Sequence, residues 1–503
     1  TNIRDVDSKR GTLDVGRFKS KQFDDLCQRI DELPASWQTR NHFADQVLDL
    51  FNLTVSFCLF GTALLFQNYI YALVILGFSL PLMVSEFKLV GQWWNLSQEM
   101  VPKQKKRGML RQAYQGNTAF MQAKMFNQLP TLEKQISVGV GEIIDAYEKL
   151  RMSSLKQGLG THLITSLCLC GITIHAVWQT ISNHGDIGTL AIIIGSVKTF
   201  QGNLVGIMSL IANQWNSAKG VNLIEEEYFG MKPLLKTEFP VKLQFTETPP
   251  IRFDGVYFTY PDTEKEVLTD VSFTIEPNTK VAIVAKSGHG KTTTERLMRR
   301  VHDPNRGNIY LGDINLRNIP PEELTKYVSS LTQEYAILER PVGDEIASSR
   351  LGEVVNFGKV VESAAFANFD EVVSREGKGY DTQIGEAFGG KSFSGGESQR
   401  LALARVRYAD TPILILDEPD AKLDPISAEK VIDEIFSLNK TVLLITHHIS
   451  RAERCDKIIV MEDGKIAEIG THSELYPKNG VYAKLHRKDK ERVGGKASPS
   501  SEE

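Results

Sequence analysis

Cysteine is scarce and scattered. Cys27, Cys58, Cys168, Cys170 and Cys455 lack the paired spacing of a secreted disulfide framework or a thiolate zinc site, so they read as structural thiols, Cys168 and Cys170 as ordinary buried small residues of an apolar run. Net charge is also small, −4 over 503 residues, which removes the basic excess that a nucleic-acid partner would require. No cleavable signal-peptide pattern is visible: the chain opens on Thr1, and its first 45 residues form a polar segment expected to be cytosolic and truncated. The most informative lack is local. A mean hydropathy of −0.20 suggests a soluble protein, yet charge vanishes for long stretches of the first 220 residues.

Phe51 to Ser85 holds no charged residue and is interrupted by the polar pair Gln67-Asn68, which suits a tight turn. Gln157 to Gly185 is a second uncharged stretch, and Asn183-His184-Gly185-Asp186 supplies a polar turn before an apolar run from Ile187 to Trp215 whose one charge is Lys198. Each half is long enough to cross a hydrocarbon core of ~30 Å, giving four expected spans at about 48–67, 69–92, 157–182 and 187–215 within a membrane domain 46–245. The section 93–156 between the hairpins opens with Lys103, Lys105, Lys106, Arg107 and Arg111, and the positive-inside rule places it in the cytosol. Everything after Lys219 then returns to the same side. Lys198 marks either a pathway through the membrane or a side chain reaching water.

Beyond the proline-bearing stretch Thr246 to Pro250, short β-rich runs alternate with helical patterns, as an α/β domain over 250–487 requires. Val281 to Val284, Ile413 to Leu416 and Val442 to Ile445 read as buried parallel strands, and Asp463-Gly464 as a hairpin turn. The charged, Ser-rich tail 488–503 reads as disordered.

Ala285-Lys286-Ser287-Gly288-His289-Gly290-Lys291-Thr292 follows the strand ending at Val284 and runs through Thr293 into a helical stretch. This is a phosphate-binding P-loop in its expected setting. Its glycines let backbone N–H groups curl around phosphate oxygens, Lys291 neutralises the β- and γ-phosphates, and the Thr292 hydroxyl can ligate Mg2+. The first motif glycine is replaced by Ala285. Ile413 to Leu416 ends in Asp417-Glu418 and resembles a Walker B strand, with Asp417 in the magnesium shell and Glu418 as general base. Ser394-Gly395-Gly396-Glu397 contains a capping box, which explains Ser394 and Glu397 without any ligand.

Followed by Gln399-Arg400-Leu401-Ala402-Leu403-Ala404-Arg405 and then the Walker B strand, however, that segment resembles the signature motif of the ATP-binding cassette family. The resemblance implies that Ser394, Gly395, Gly396 and Glu397 meet ATP held on the P-loop of an opposite cassette, hence a dimer with a second subunit, alike or different. It implies that Tyr260 stacks on adenine, that Gln333 touches magnesium and water, and that His447 contacts the γ-phosphate. In Asp420-Ala421-Lys422-Leu423-Asp424 the final Leu-Asp matches the family's D-loop, while Lys422 stands where a small residue is usual, and His448 stands where Arg is common.

The fold expected is therefore an all-α transmembrane domain followed by an α/β P-loop NTPase domain. The four spans resemble the last four of six in an exporter-type half-transporter, so two leading spans are expected to be missing. The section from Tyr114 to Phe126, with Gly116 and Phe126 in family-like places, is expected to hold a coupling helix. The function implied is ATP-driven export of an unidentified substrate, using ATP and Mg2+, in a plasma or bacterial inner membrane with the cassette in the cytosol. The alternative is a regulatory or channel-like membrane protein that hydrolyses little ATP, for which Ala285 and Lys422 are the support.

Overall fold

The computed structural model describes residues 9, 13–18, 20–31, 40–115, 117–182, 186–235, 237, 239–261, 263–286, 288–350, 352–385 and 389–494. It divides into two compact units, Thr1–Leu13 with Arg17–Lys232, and Asp14–Gly16 with Pro233–Glu503. The division falls at Lys232, before the expected boundary at 245. The reason lies in the connecting segment itself: Leu243 is buried in the second unit's core, its carbonyl accepts from Tyr327 Oη at 3.2 Å, and Val241 N donates to Asn318 O at 2.9 Å.

The first unit is helical. Its longer helices are α1 (Lys21–Asp31), α2 (Arg40–Gln115), α3 (Asn117–Met125), α4 (Leu129–Ser182) and α5 (Ile187–Asn222). Helix α2 is broken at Asn68, whose φ of −162° and ψ of 102° leave the helical region. The Asn68 side chain accepts from Ile70 N at 3.1 Å, so the same residue that ends one helical length caps the next. Three helices among the described residues, α2, α4 and α5 with its extension to Phe229, are long and apolar enough to cross a membrane, and the first of them carries this break. Of the expected polar turn before α5, residues 183–185 lie outside the described residues.

A small core joins α2, α4 and α5 through Leu64, Tyr71, Ile75, Ile172, Ala176, Val197 and Phe200. Polar pairs tie the helices as well: Asn203 Nδ2 donates to Ser56 Oγ at 2.6 Å, and Tyr71 Oη lies 2.8 Å from His175 Nδ1. Leu59, Phe66, Leu167, Ile174 and Ile192 point outward, as apolar side chains do on a lipid-facing helix. Cys170 is on this outward surface, as is Cys58, and Cys168 is half-buried, which corrects the expectation that Cys168 and Cys170 are buried; Cys455 is fully buried. An apolar run cannot tell a lipid-facing position from a core position. Lys198 is exposed.

The second unit contains β1 (Ile251–Thr259), β2 (Glu266–Ile275), β3 (Lys280–Ala285), α6 (Lys291–Met298), β4 (Arg306–Leu311), β5 (Ile314–Asn315) and β6 (Val328–Leu331). A helical section follows, with α7 (Val342–Ala347), α8 (Phe357–Phe366), α9 (Asp370–Ser374) and α10 (Gly395–Ala409). Then come β7 (Ile413–Asp417), α11 (Pro425–Ser437), β8 (Thr441–Ile445), α12 (Ile449–Ala452), β9 (Lys457–Glu462), β10 (Lys465–Gly470), α13 (His472–Leu475) and α14 (Val481–Gly494). One sheet is antiparallel in the order β2-β1-β4-β5, and the other runs β10-β9-β3-β8-β7-β6, parallel apart from the β9–β10 hairpin.

The second sheet is covered on both faces, and this is why its strands are unbroken apolar runs. Successive side chains alternate between two cores. Val281, Ile283, Ile413, Ile415, Leu443 and Ile445 face the antiparallel sheet, while Ala282, Val284, Leu414, Leu416, Val442 and Leu444 face the helical section. The carboxyl ends of β3, β6, β7 and β8 therefore lie along one edge, where ligands of open α/β sheets bind. Helix α14 extends to Gly494, so the disordered tail expected from 488 is corrected through that residue. It is held by tertiary contacts, among them buried Tyr482 and Ala483, that tail composition does not register.

Candidate functional site

The loop after β3 turns through Gly288 and Gly290, both at positive φ. At Gly290 glycine is required twice over: φ is +101°, and a Cβ would lie 2.6 Å from Leu268 Cδ2. Ala285, by contrast, is the last residue of β3 and is not among the positive-φ positions, so its methyl costs the loop no backbone strain. Ser287 lies outside the described residues. Lys291 opens α6 and its Nζ donates to Ala285 O at 2.8 Å and Lys286 O at 3.1 Å, which holds the ammonium over the loop. Burial lowers the Lys291 pKa, opposed by the nearby Glu418 and Asp417.

Asp417 ends β7 and is buried. Its pKa is raised to about 6, first by burial and then by the charges of Glu295 and Glu418, against the pull of Lys291. Glu295 is itself paired with Arg299 at 2.8 Å, so Asp417 and Glu418 are the two acids facing the Lys291 ammonium, a donor set of hard oxygens that fits a magnesium ion beside the Thr292 hydroxyl. Glu418 follows in a left-handed conformation, φ +50°, pinned by its N–H to Ile445 O at 2.9 Å and by Gln399 Nε2 donating to its carbonyl at 2.8 Å. That backbone places Glu418 Oε1 2.8 Å from His447 Nδ1. The result is a carboxylate–imidazole pair at the ends of two adjacent strands.

A cavity of about 620 Å³ gathers most of the expected residues. Ala285, Lys286, Gly288, Gly290, Lys291, Thr292, Thr293, Gln333, Asp417, Glu418 and His447 line it. His289 and Tyr260 are not in the lining. His289 Nδ1 instead accepts from Asp463 N at 2.7 Å, in the β9–β10 turn. Tyr260 Oη is held by Thr293 Oγ1 at 3.0 Å and by Arg296 Nη1 at 3.1 Å, with its ring edge-on to Phe258 and His302. Thr446, Ile449, Leu485, Lys488 and Asp489 also line the cavity and were missed by sequence reasoning. The last three sit on α14, whose Val481, Tyr482 and Leu485 at helical spacing were the signal available.

Ser394, Gly395, Gly396 and Glu397 form the N-terminus of α10 but do not line this cavity. Both halves of the capping box are present, Glu397 N to Ser394 Oγ at 3.3 Å and Ser394 N to Glu397 Oε2 at 2.9 Å. Gly396 must lack a side chain, because a Cβ would stand 2.7 Å from Lys422 O. Lys422 lies against this turn, with Nζ 4.8 Å from the centre of the Tyr335 ring and Tyr335 Oη donating to Gly395 O at 3.3 Å. In the first unit, α3 carries exposed Met121 and Met125 and leads to exposed Phe126; Gly116 lies outside the described residues.

Residues 268–421 match the model of the ABC transporter family. This cassette belongs to the ABC transporter family. The chain is 39% identical over 232 residues to an ATP-dependent lipid A-core flippase of Pseudomonas putida, covering 46% of this chain and 38% of that protein. It is 33% identical over 337 residues to a flippase of the same name from Alkalilimnicola ehrlichii, covering 65% of this chain and 54% of that one. The chain thus spans about half the length, or less, of these curated relatives. A solved bacterial Atm1-family ABC exporter with ATP bound superposes at a TM-score of 0.78 with 23% identity, covering 97% of this chain and 84% of the exporter. The chain thus shares the fold of that exporter.

Proposed function

We propose that this chain is the ATP-hydrolysing subunit of an exporter, and that two cassettes sandwich ATP at two composite sites. The observation that carries this reading is the meeting of Lys291, Thr292, Gln333, Asp417, Glu418 and His447 around one cavity while Ser394 and Gly396 stand outside it. A signature motif that cannot reach its own chain's P-loop needs a second chain to supply the other half.

The chemistry follows from roles. Lys291 balances charge on the outer phosphates, and the N–H groups of the glycine loop and the α6 N-terminus bind their oxygens. Thr292, Gln333 and Asp417 would hold magnesium, which would supply further charge neutralisation there. Glu418 accepts a proton from the attacking water, and His447, bonded to the same carboxylate, fixes its orientation. Ala285, seated in β3 without strain, leaves the P-loop backbone free to act.

For the transported molecule, support comes from the relatives named lipid A-core flippases, one of which aligns beyond the cassette over 337 residues. We infer an amphiphilic lipid of that class, moved across a bacterial inner membrane, with the break at Asn68 and the start of α5 at Ile187 away from the cytosol. Mg-dependent ATP hydrolysis by the purified chain, stimulated by lipid A-core and abolished in Lys291→Ala together with ATP binding, is the expected result. Unchanged ATP binding and turnover in Lys291→Ala would remove the P-loop assignment; normal turnover without lipid stimulation would remove only the substrate.

A further inference from the structure

Away from the nucleotide cavity, Glu453, His472 and His486 converge from three different elements. Glu453 follows α12, His472 opens α13, and His486 lies midway along α14. One ligand atom from each lies within 4.8 Å of the others. His486 Nε2 bonds Glu453 Oε1, and His472 Nδ1 lies 2.8 Å from Tyr482 Oη. His486 is only 3% exposed, and its Nδ1 has no hydrogen-bond partner among the described residues. An ion pair with Glu453 therefore leaves half of this buried imidazole unexplained.

We propose that Glu453, His472 and His486 form a binding site for a divalent transition metal of the zinc class, distinct from the magnesium of the nucleotide site. Two imidazoles and one carboxylate make a borderline donor set that favours zinc over magnesium or calcium. Ligand atoms around a tetrahedral zinc stand about 3.3 Å apart, within reach of the present spacing of at most 4.8 Å. Tyr482, bonded to His472, fixes that ring as an outer partner of a metal-bound histidine does. The fourth position is open to water.

The ion joins α14 to the segment after His447. Glu453 caps the helix that begins at Ile449, and α14 carries Leu485, Lys488 and Asp489 into the nucleotide cavity. Asp489 Oδ2 also accepts from Ile449 N at 2.8 Å. A bound metal thus fastens α14 beside the residues that follow the switch histidine.

Metal binding at this site does not depend on ATP turnover and is measured without nucleotide. The full chain, purified in detergent without a polyhistidine tag, is dialysed against micromolar Zn2+, and its metal content is compared with that of His472→Ala and Glu453→Gln. Half-buried His472 and Glu453 are chosen because replacing buried His486 could impair folding. The expected result is one equivalent per chain in the parent protein and its loss in both variants. Co2+ should give the visible absorption of a four-coordinate nitrogen–oxygen site, and Zn2+ should slow tryptic cleavage at Lys484, Arg487, Lys488 and Lys490 in the parent only. Equal metal content in parent and variants, or no uptake by the parent, would overturn the site.

Discussion

At Asp417 the fold holds a buried carboxylate beside Glu295 and Glu418, with its pKa raised to about 6. The folded state therefore binds this proton more tightly than the unfolded chain, whose aspartates titrate near 3.9. Between about pH 4 and pH 6 folding stability falls as pH rises, and above pH 6 the penalty is complete. Asp417→Asn should thus raise the melting temperature in Mg-free buffer at neutral pH, by the equivalent of about 1–3 kcal/mol, and give no gain at pH 4. The same variant should lose Mg-dependent hydrolysis. A melting temperature unchanged or lowered at pH 7 would contradict the electrostatic reading. At the neighbouring position, Glu418→Gln keeps the side chain's shape but removes the proton acceptor. Hydrolysis should fall by ~10²–10⁴-fold while ATP affinity stays within a few-fold, as measured by steady-state turnover and equilibrium binding. Wild-type turnover in this variant would remove Glu418 from the chemistry.

Among elements, α14 is the one whose placement changes how the site is understood. Asp489 Oδ2 accepts from Ile449 N at the start of α12, two residues after His447. Asp489→Ala should loosen that start and lower kcat by a few-fold with little change in the KM for ATP, whereas a merely global destabilisation would show in the melting temperature first. Unaltered kcat in a normally folded variant would make α14 a bystander. The parallel strands were legible in the sequence because a sheet covered on both faces demands unbroken apolar runs, and Ser394 and Glu397 because a capping box is local. The break at Asn68 was also legible, as a polar pair within an uncharged run. What the sequence could not show depends on distant contacts: Tyr260 Oη held by Thr293 and Arg296, His289 turned to Asp463, and Lys488 and Asp489 ordered by a helix that composition alone reads as a tail. The Glu453–His472–His486 cluster escaped for the same reason, since no two of its members are close in sequence.

For the whole molecule, the proposed catalytic unit takes two chains. Within one chain the P-loop, Asp417, Glu418 and His447 share a cavity, and the turn Ser394–Gly396 does not. Slow hydrolysis in Glu418→Gln should keep ATP in place and hold two cassettes together. The most direct measurement is a disulfide crosslink between two populations of this variant stripped of native cysteines, one carrying Lys286→Cys and the other Ser394→Cys. A crosslinked heterodimer should form with Mg-ATP and not without nucleotide. Crosslinking that is equal in both conditions, or absent in both while ATP is bound, would contradict the two-chain site.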